Sequence, residues 1–158
     1  MFLDNSSFKF IREAITGNIE GISNLYNEAE SLNITYKVID FQDGMGRSAL
    51  FWSIQTGNIQ AAKLLIELGA DVNQSTNNGN NPLIEASSGG HISVVKKLIE
   101  RGARLDASQK DGKTPFIAAV ENGHPLMAEY LFSVQWNITL PEGKFVRVIL
   151  ILYFTVKV

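Results

Sequence analysis

Glycine returns along this chain at one constant step, and it does so in several registers at once. Gly46, Gly79 and Gly112 form one series, Gly57, Gly90 and Gly123 another, and Gly69 with Gly102 a third. Leu50, Leu83 and Phe116 keep the same step. A fixed period of about 33 residues marks a repeat architecture, in which each unit is one supersecondary element unable to bury its apolar face alone. Neighbouring units must then stack, each hiding a flank of the next. The period divides the chain into units at 43–75, 76–108 and 109–140.

Within a unit the residues predict two short helices joined by tight turns. Ser48, Asn81 and Thr114 share a register, and each carries a side-chain oxygen able to accept from a free N–H at a helix start. Pro82 and Pro115 follow at the first helical position, where a missing N–H costs nothing, and Ala49 stands there in the first unit. Gly57, Gly90 and Gly123 then end the helix in a left-handed conformation that other residues adopt at a cost. The second helix carries Ile59, Ala62, Leu65 and Ile66 in one unit, and Ile92, Val95, Leu98 and Ile99 in the next. Spacings of three and four put these on one buried stripe, which Gly69 and Gly102 stop.

These residues resemble the ankyrin repeat. The stretches DGKTPFIAAVENGHPLMAEYLF and NGNNPLIEASSGGHISVVKKLIERGARLD follow its order of Gly, Thr-Pro-Leu-His, Ala-Ala, Gly-His, an apolar helix and Gly-Ala-Asp. GRSALFWSIQTGNIQAAKLLIELGADVNQ is similar, with Ser-Ala in place of Thr-Pro. The resemblance runs from Asp43 to Leu140. It implies an all-α ankyrin-repeat solenoid of helix-turn-helix units with projecting hairpin loops. The family's His after Leu, whose hydrogen bonds tie loop to helix, is replaced here by Phe51, Ile84 and Ile117. Packing is therefore expected to hold these loops, with modest stability. Gln135 replaces the Gly of the last Gly-Ala-Asp turn, so an irregular end is expected there.

The flanks depart from the period. Gly17-Asn18-Ile19 copies Gly57-Asn58-Ile59 at a separation wider than the common step, so residues 1–42 read as a degenerate N-terminal capping repeat with a lengthened loop. Phe10, Ala14 and Ile15 before Gly17, and Ile22, Leu25 and Tyr26 after it, are its expected core. Residues 141–158 form an apolar tail outside the repeat pattern, rich in β-branched and aromatic residues. Three readings compete for it: a cover over the open end of the stack, the boundary of a truncated or misread longer array, and, weakest, a membrane contact through residues 145–158. The run is too short for a span, which needs about 20 apolar residues.

Composition excludes several functions. The net charge of −2 argues against an electrostatic grip on nucleic acid. Cysteine is absent, which removes disulfides, thiol nucleophiles and Cys-based zinc sites, and fits a reducing compartment. No basic start leads into an apolar run, so a cytoplasmic location is expected. The Asn-x-Ser/Thr sequons at Asn5, Asn33, Asn73 and Asn137 are then taken as chance. His91 and His124 both fall at the family's Gly-His register, where capping or packing accounts for them, and no serine stands in a triad context. Neither an enzyme, a cofactor nor a metal site is expected.

What remains is a surface. Resemblance to ankyrin proteins implies recognition by the loop tips and the exposed side of each first helix, together a concave groove. Those registers select Met45, Arg47, Trp52, Gln55 and Thr56 in the first unit. They select Asn78, Asn80, Glu85 and Ser88 in the second, and Lys110, Asp111, Lys113, Glu121 and Asn122 in the third. Trp52 is the favoured anchor, because Trp is enriched among residues that dominate binding energy; packing against its own loop is the competing role. The expected function is a monomeric, non-catalytic scaffold for a protein partner. The alternative is a targeting or regulatory segment of a longer multidomain protein.

Overall fold

A computed structural model describes residues 2–136; the end of the third unit beyond that point and the 141–158 tail lie outside the described residues. The helices there are α1 (Phe2–Thr16), α2 (Ile19–Ser31), α3 (Thr35–Ile39), α4 (Ala49–Gln55), α5 (Ile59–Glu67), α6 (Pro82–Ser88), α7 (Ile92–Glu100), α8 (Pro115–Glu121) and α9 (Pro125–Trp136). Among the described residues the single β-type contact is an antiparallel bridge between Gln42 and Ser48. The described fold is an all-α stack of helix pairs.

Local chemistry sets the helix boundaries. The side-chain oxygens of Ser48, Asn81 and Thr114 accept from the backbone N–H of Phe51, Ile84 and Ile117 at 3.3, 2.9 and 3.3 Å. Each first helix ends within two residues of a glycine at positive φ: Gly57 at 75°, Gly90 at 70° and Gly123 at 74°. These values lie in the left-handed region, where a Cβ would meet the following carbonyl. A helix of seven residues, like α4, α6 and α8, is too short to persist alone. Its stability has to come from burial.

That burial is continuous along the stack. Leu50 and Leu83 are completely enclosed, and Phe116 packs half-buried against the same cluster. α4 packs on α6 and α6 on α8, while α5 packs on α7, so first helices form one layer and second helices another. Each enclosed leucine side chain contributes roughly 2 kcal/mol relative to exposure. The second helices bury Ala61, Ala62, Leu65 and Ile66 in α5, then Val94, Val95 and Leu98 in α7. Ile92 departs from the expected stripe and is 40% exposed. As the first residue of α7, its side chain leans toward the N-terminal end of the helix and out over the preceding turn. Val94 takes the buried place instead.

Polar side chains pin successive units together by equivalent bonds. Asp40 Oδ1 accepts from the Asp71 N–H at 2.8 Å, and one period later Asn73 Oδ1 accepts from the Arg104 N–H at 2.9 Å. Asn58 Nδ2 donates to the Ile15 carbonyl at 2.6 Å, and the His124 Nε2 to the Ser88 carbonyl at 2.9 Å. His124 thus spans a joint rather than serving its own helix. On the outer layer Lys97 of α7 pairs with Glu67 of α5, and the Arg101 guanidinium donates to the Ile66 carbonyl at 3.1 Å.

The N-terminal pair keeps the expected core: Phe10, Ala14, Ile22 and Leu25 are buried, with Ile15 and Tyr26 half-buried against them. Two features differ from expectation. α1 has 15 residues, against seven in the other first helices. The extra length before Asp43 is not simply a longer loop, since it holds α3, whose Val38 and Ile39 are buried against α1 and α2. Phe41 follows and meets Phe8 of α1 edge-on, with ring centroids 4.9 Å apart.

Candidate functional site

Each unit opens with a reverse turn. The N–H of Gly46, Gly79 and Gly112 donates to the carbonyl of Asp43, Thr76 and Gln109, at 2.9, 2.8 and 2.9 Å. One further rung closes each loop: Asp43 N–H to Arg47, Thr76 to Asn80, and Gln109 to Lys113. The loops are held side by side as well. The Asn77 N–H donates to the Met45 carbonyl and the Lys110 N–H to the Asn78 carbonyl, both at 3.0 Å. Gln42 Nε2 adds bonds to the Gly46 and Ser75 carbonyls. Three turns become one braced edge.

In the first unit the centre of the edge is Asp43. Its Oδ1 accepts from the backbone N–H of Met45 and Arg47, at 2.9 and 3.0 Å. Its Oδ2 accepts from Arg47 Nε at 2.9 Å and from Trp52 Nε1 at 3.0 Å. The Arg47 guanidinium lies over the Trp52 ring, 4.0 Å from its centroid. Partial burial alone would raise the Asp43 pKa. The N–H donors of Arg47 and Met45, then the Trp52 and Arg47 side chains, outweigh that and hold the carboxyl below its ordinary range.

The other units fill the same registers differently. In the second, Asn80 stands where Arg47 does and Glu85 where Trp52 does; Asn80 Nδ2 donates to Glu85 Oε2 at 2.7 Å. Thr76 Oγ1 accepts from the Asn80 N–H at 3.1 Å, replacing one of the Asp43 contacts. In the third, Ala118 occupies the Trp52 register and offers nothing to bind. Lys113 reaches one turn farther and pairs with Glu121 at 3.0 Å. Loop and helix are therefore tied by polar pairs in every unit. Packing of Phe51 and Ile84, both buried, supplies only part of what was expected of it.

The fourteen residues singled out from sequence fall into two groups. Arg47, Trp52, Asn80, Glu85, Lys113 and Glu121 are joined in the loop-to-helix pairs just described. Met45, Gln55, Thr56, Asn78, Lys110, Asp111 and Asn122 are exposed, and Ser88 is half-buried at the end of α6. Some exposed members are still engaged locally: Thr56 Oγ1 donates to the Trp52 carbonyl, Asn122 Nδ2 to the Ala118 carbonyl, and Asp111 accepts from the Lys113 N–H. Met45, at 54% exposure, is the largest apolar side chain on the loop tips. Asp43 itself was missed, because the sequence reading used it only as a boundary. Its signal is an Asp two and four residues ahead of loop N–H groups, the pattern of an Asx turn.

His91 and His124 each stand just ahead of a second helix, α7 and α9. His91 heads α7 without a side-chain cap bond. Burial, then the neighbouring His124, lowers its pKa, with Glu85 opposing. Among the described residues no three His, Asp or Glu converge as a metal set. No helix among them is long and apolar enough to cross a membrane.

Comparison with known proteins agrees with this geometry. The sequence model of a family described as ankyrin repeats (3 copies) matches residues 11–109 and again 74–141. The first match begins inside α1, so it takes in most of the N-terminal pair as well as the regular units. No curated protein matches the chain. With most of its length covered by that family's pattern, the chain belongs to the ankyrin-repeat family.

Proposed function

We propose that the chain is a monomeric, non-catalytic scaffold of a reducing compartment that binds a protein partner through the concave groove of its loop tips and first helices. Ankyrin repeats are in general protein–protein interaction modules and are typically non-catalytic. Residues 1–42 act as the capping unit, 43–75, 76–108 and 109–140 as the regular ones. The observation that carries the reading is the lateral bracing of the turns by the Asn77–Met45 and Lys110–Asn78 bonds. Exposed side chains standing on a fixed base lose little freedom on binding, so more of their contact energy becomes affinity.

The pairing within each unit bears on which residues do the binding. Trp52 and Arg47 hold each other and Asp43, so they shape the groove wall. Met45, Asn78, Lys110 and Asp111, at the tips, are the residues we assign to first contact with the partner. The test uses the full chain as bait and measures the affinity of the captured protein. Met45→Asp and Lys110→Glu are each expected to weaken it at least tenfold, about 1.4 kcal/mol. Ser93→Glu, on the exposed side of α7, leaves it unchanged. Equal affinity for all three variants would move the site off the groove.

A further inference from the structure

We propose that Asn78 is a modification site: its side-chain amide is lost through reaction with the Gly79 nitrogen and water, which turns a neutral loop tip into an anionic one. Asparagine and aspartate react in this way most readily when the next residue leaves its backbone nitrogen unshielded, as glycine without a Cβ does. The chain has four such pairs: Asp43–Gly44, Asn78–Gly79, Asp111–Gly112 and Asn122–Gly123. The fold restrains three of them. Asp43 holds four donors with its two oxygens. Asp111 Oδ1 accepts from the Lys113 N–H at 3.0 Å, and Asn122 Nδ2 donates to the Ala118 carbonyl at 2.8 Å. These bonds must break before the side-chain carbon can turn to the following nitrogen. The two aspartates meet a further obstacle, since an ionised carboxylate has no good leaving group. Asn78 carries neither restraint. It is exposed, and among the described residues its side chain has no hydrogen-bond partner.

The step balances with water as its only co-reactant. The Gly79 N–H leaves the Thr76 carbonyl, to which it donates at 2.8 Å, and the nitrogen gives up its proton. A bond forms from that nitrogen to the Asn78 Cγ, the Cγ–Nδ2 bond breaks, and ammonia departs with the proton. Water then opens the cyclic imide. Attack at Cγ leaves aspartate. Attack at the backbone carbonyl leaves isoaspartate, whose main chain runs through Cγ and is one carbon longer. A loop tip with Asn77 and Asn78 both exposed opens at little cost, whereas freeing Asn122 disturbs the end of α8. Both products add a negative charge to the braced edge. Isoaspartate also removes the Asn78 peptide carbonyl, which accepts from the Lys110 N–H at 3.0 Å, so the bond between the second and third loops loses its acceptor.

The full chain is aged in neutral buffer, folded and, in parallel, unfolded in urea. Tryptic digestion separates Asn78, in residues 64–96, from Asn122, in residues 114–144, and tandem mass spectrometry follows the amide-to-acid mass gain at each. In the folded chain Asn78 should convert at least tenfold faster than Asn122. In urea both are Asn-Gly in an open chain, and the two rates should agree within about twofold. Equal rates in the folded chain, or the same ratio in urea as in buffer, would overturn the proposal. The isoaspartate form, isolated by chromatography, reports the consequence for the edge. Its Lys110 amide should exchange hydrogen at least tenfold faster than in wild type. Asn78→Asp keeps the peptide carbonyl and should retain the wild-type exchange rate. Unchanged protection of Lys110 in the isoaspartate form would overturn the predicted loss of the bond between loops.

Discussion

Removing the Asp43 carboxylate strands four donors beside a half-buried indole: the Met45 and Arg47 N–H groups, Arg47 Nε and Trp52 Nε1. The Asp43 side chain is only 15% exposed, so water replaces it poorly. Asp43→Ala is expected to cost about 2 kcal/mol in urea unfolding, the scale for losing hydrogen bonds to a charged acceptor. Asp43→Asn keeps one acceptor oxygen and should cost about half as much. The pH dependence has a definite sign. The folded pKa lies below its ordinary value of 3.8, so the stabilisation is complete above that value and is lost as pH falls through it toward the folded pKa. Wild type should therefore lose more stability than Asp43→Asn over the same acid range. Parallel losses in the two proteins would show that the cluster is not the source. Trp52 illustrates why such a role is hard to see beforehand. Its register names it a surface residue, and only the fold brings Asp43, nine residues earlier, against its ring nitrogen.

Helix ends were the most legible part of the sequence, because caps act within three residues of themselves. Ser48, Asn81 and Thr114 all do what their residue types and register suggest. They are not equal. Asn81 is 2% exposed and makes the shortest cap bond, 2.9 Å, so Asn81→Ala leaves the Ile84 N–H enclosed without an acceptor. The expected loss is about 1–2 kcal/mol, against about 1 for Thr114→Ala at a half-buried site. Thermal unfolding of both variants checks the order, and a larger loss at Thr114 would contradict it. α3 was illegible for a related reason. At five residues it is too short to display a helical period, and its two buried residues, Val38 and Ile39, are consecutive. Ile92 failed in the opposite way: its spacing fits the stripe, but spacing says nothing about where a helix begins.

At the scale of the stack, stability is a sum of unit and joint contributions, and one pair of glycines separates the two. Gly57 and Gly90 have nearly the same backbone, with φ of 75° and 70°. A Cβ at Gly57 would meet nothing within 4 Å, whereas at Gly90 it would meet the His124 ring at 2.7 Å. Gly57→Ala thus reports left-handed strain alone, about 1 kcal/mol. Gly90→Ala adds a clash across the joint between the second and third units, and about 3 kcal/mol is expected. The period made both glycines visible in sequence, but the contact that distinguishes them belongs to a side chain of the next unit, which periodicity alone does not reveal. A double-mutant cycle isolates it. His124→Ala alone loses the bond to the Ser88 carbonyl and should cost about 1 kcal/mol. Combined with Gly90→Ala it also clears room for the new methyl, so the double variant should be less destabilised than the sum by at least about 1 kcal/mol. The same histidine change beside Gly57→Ala should be additive, since nothing of His124 reaches that turn. Additivity in both cycles would mean that the joint yields without resistance at His124, and that the second and third units are coupled elsewhere, through contacts that include their apolar layers and the loop bond from Lys110 to Asn78.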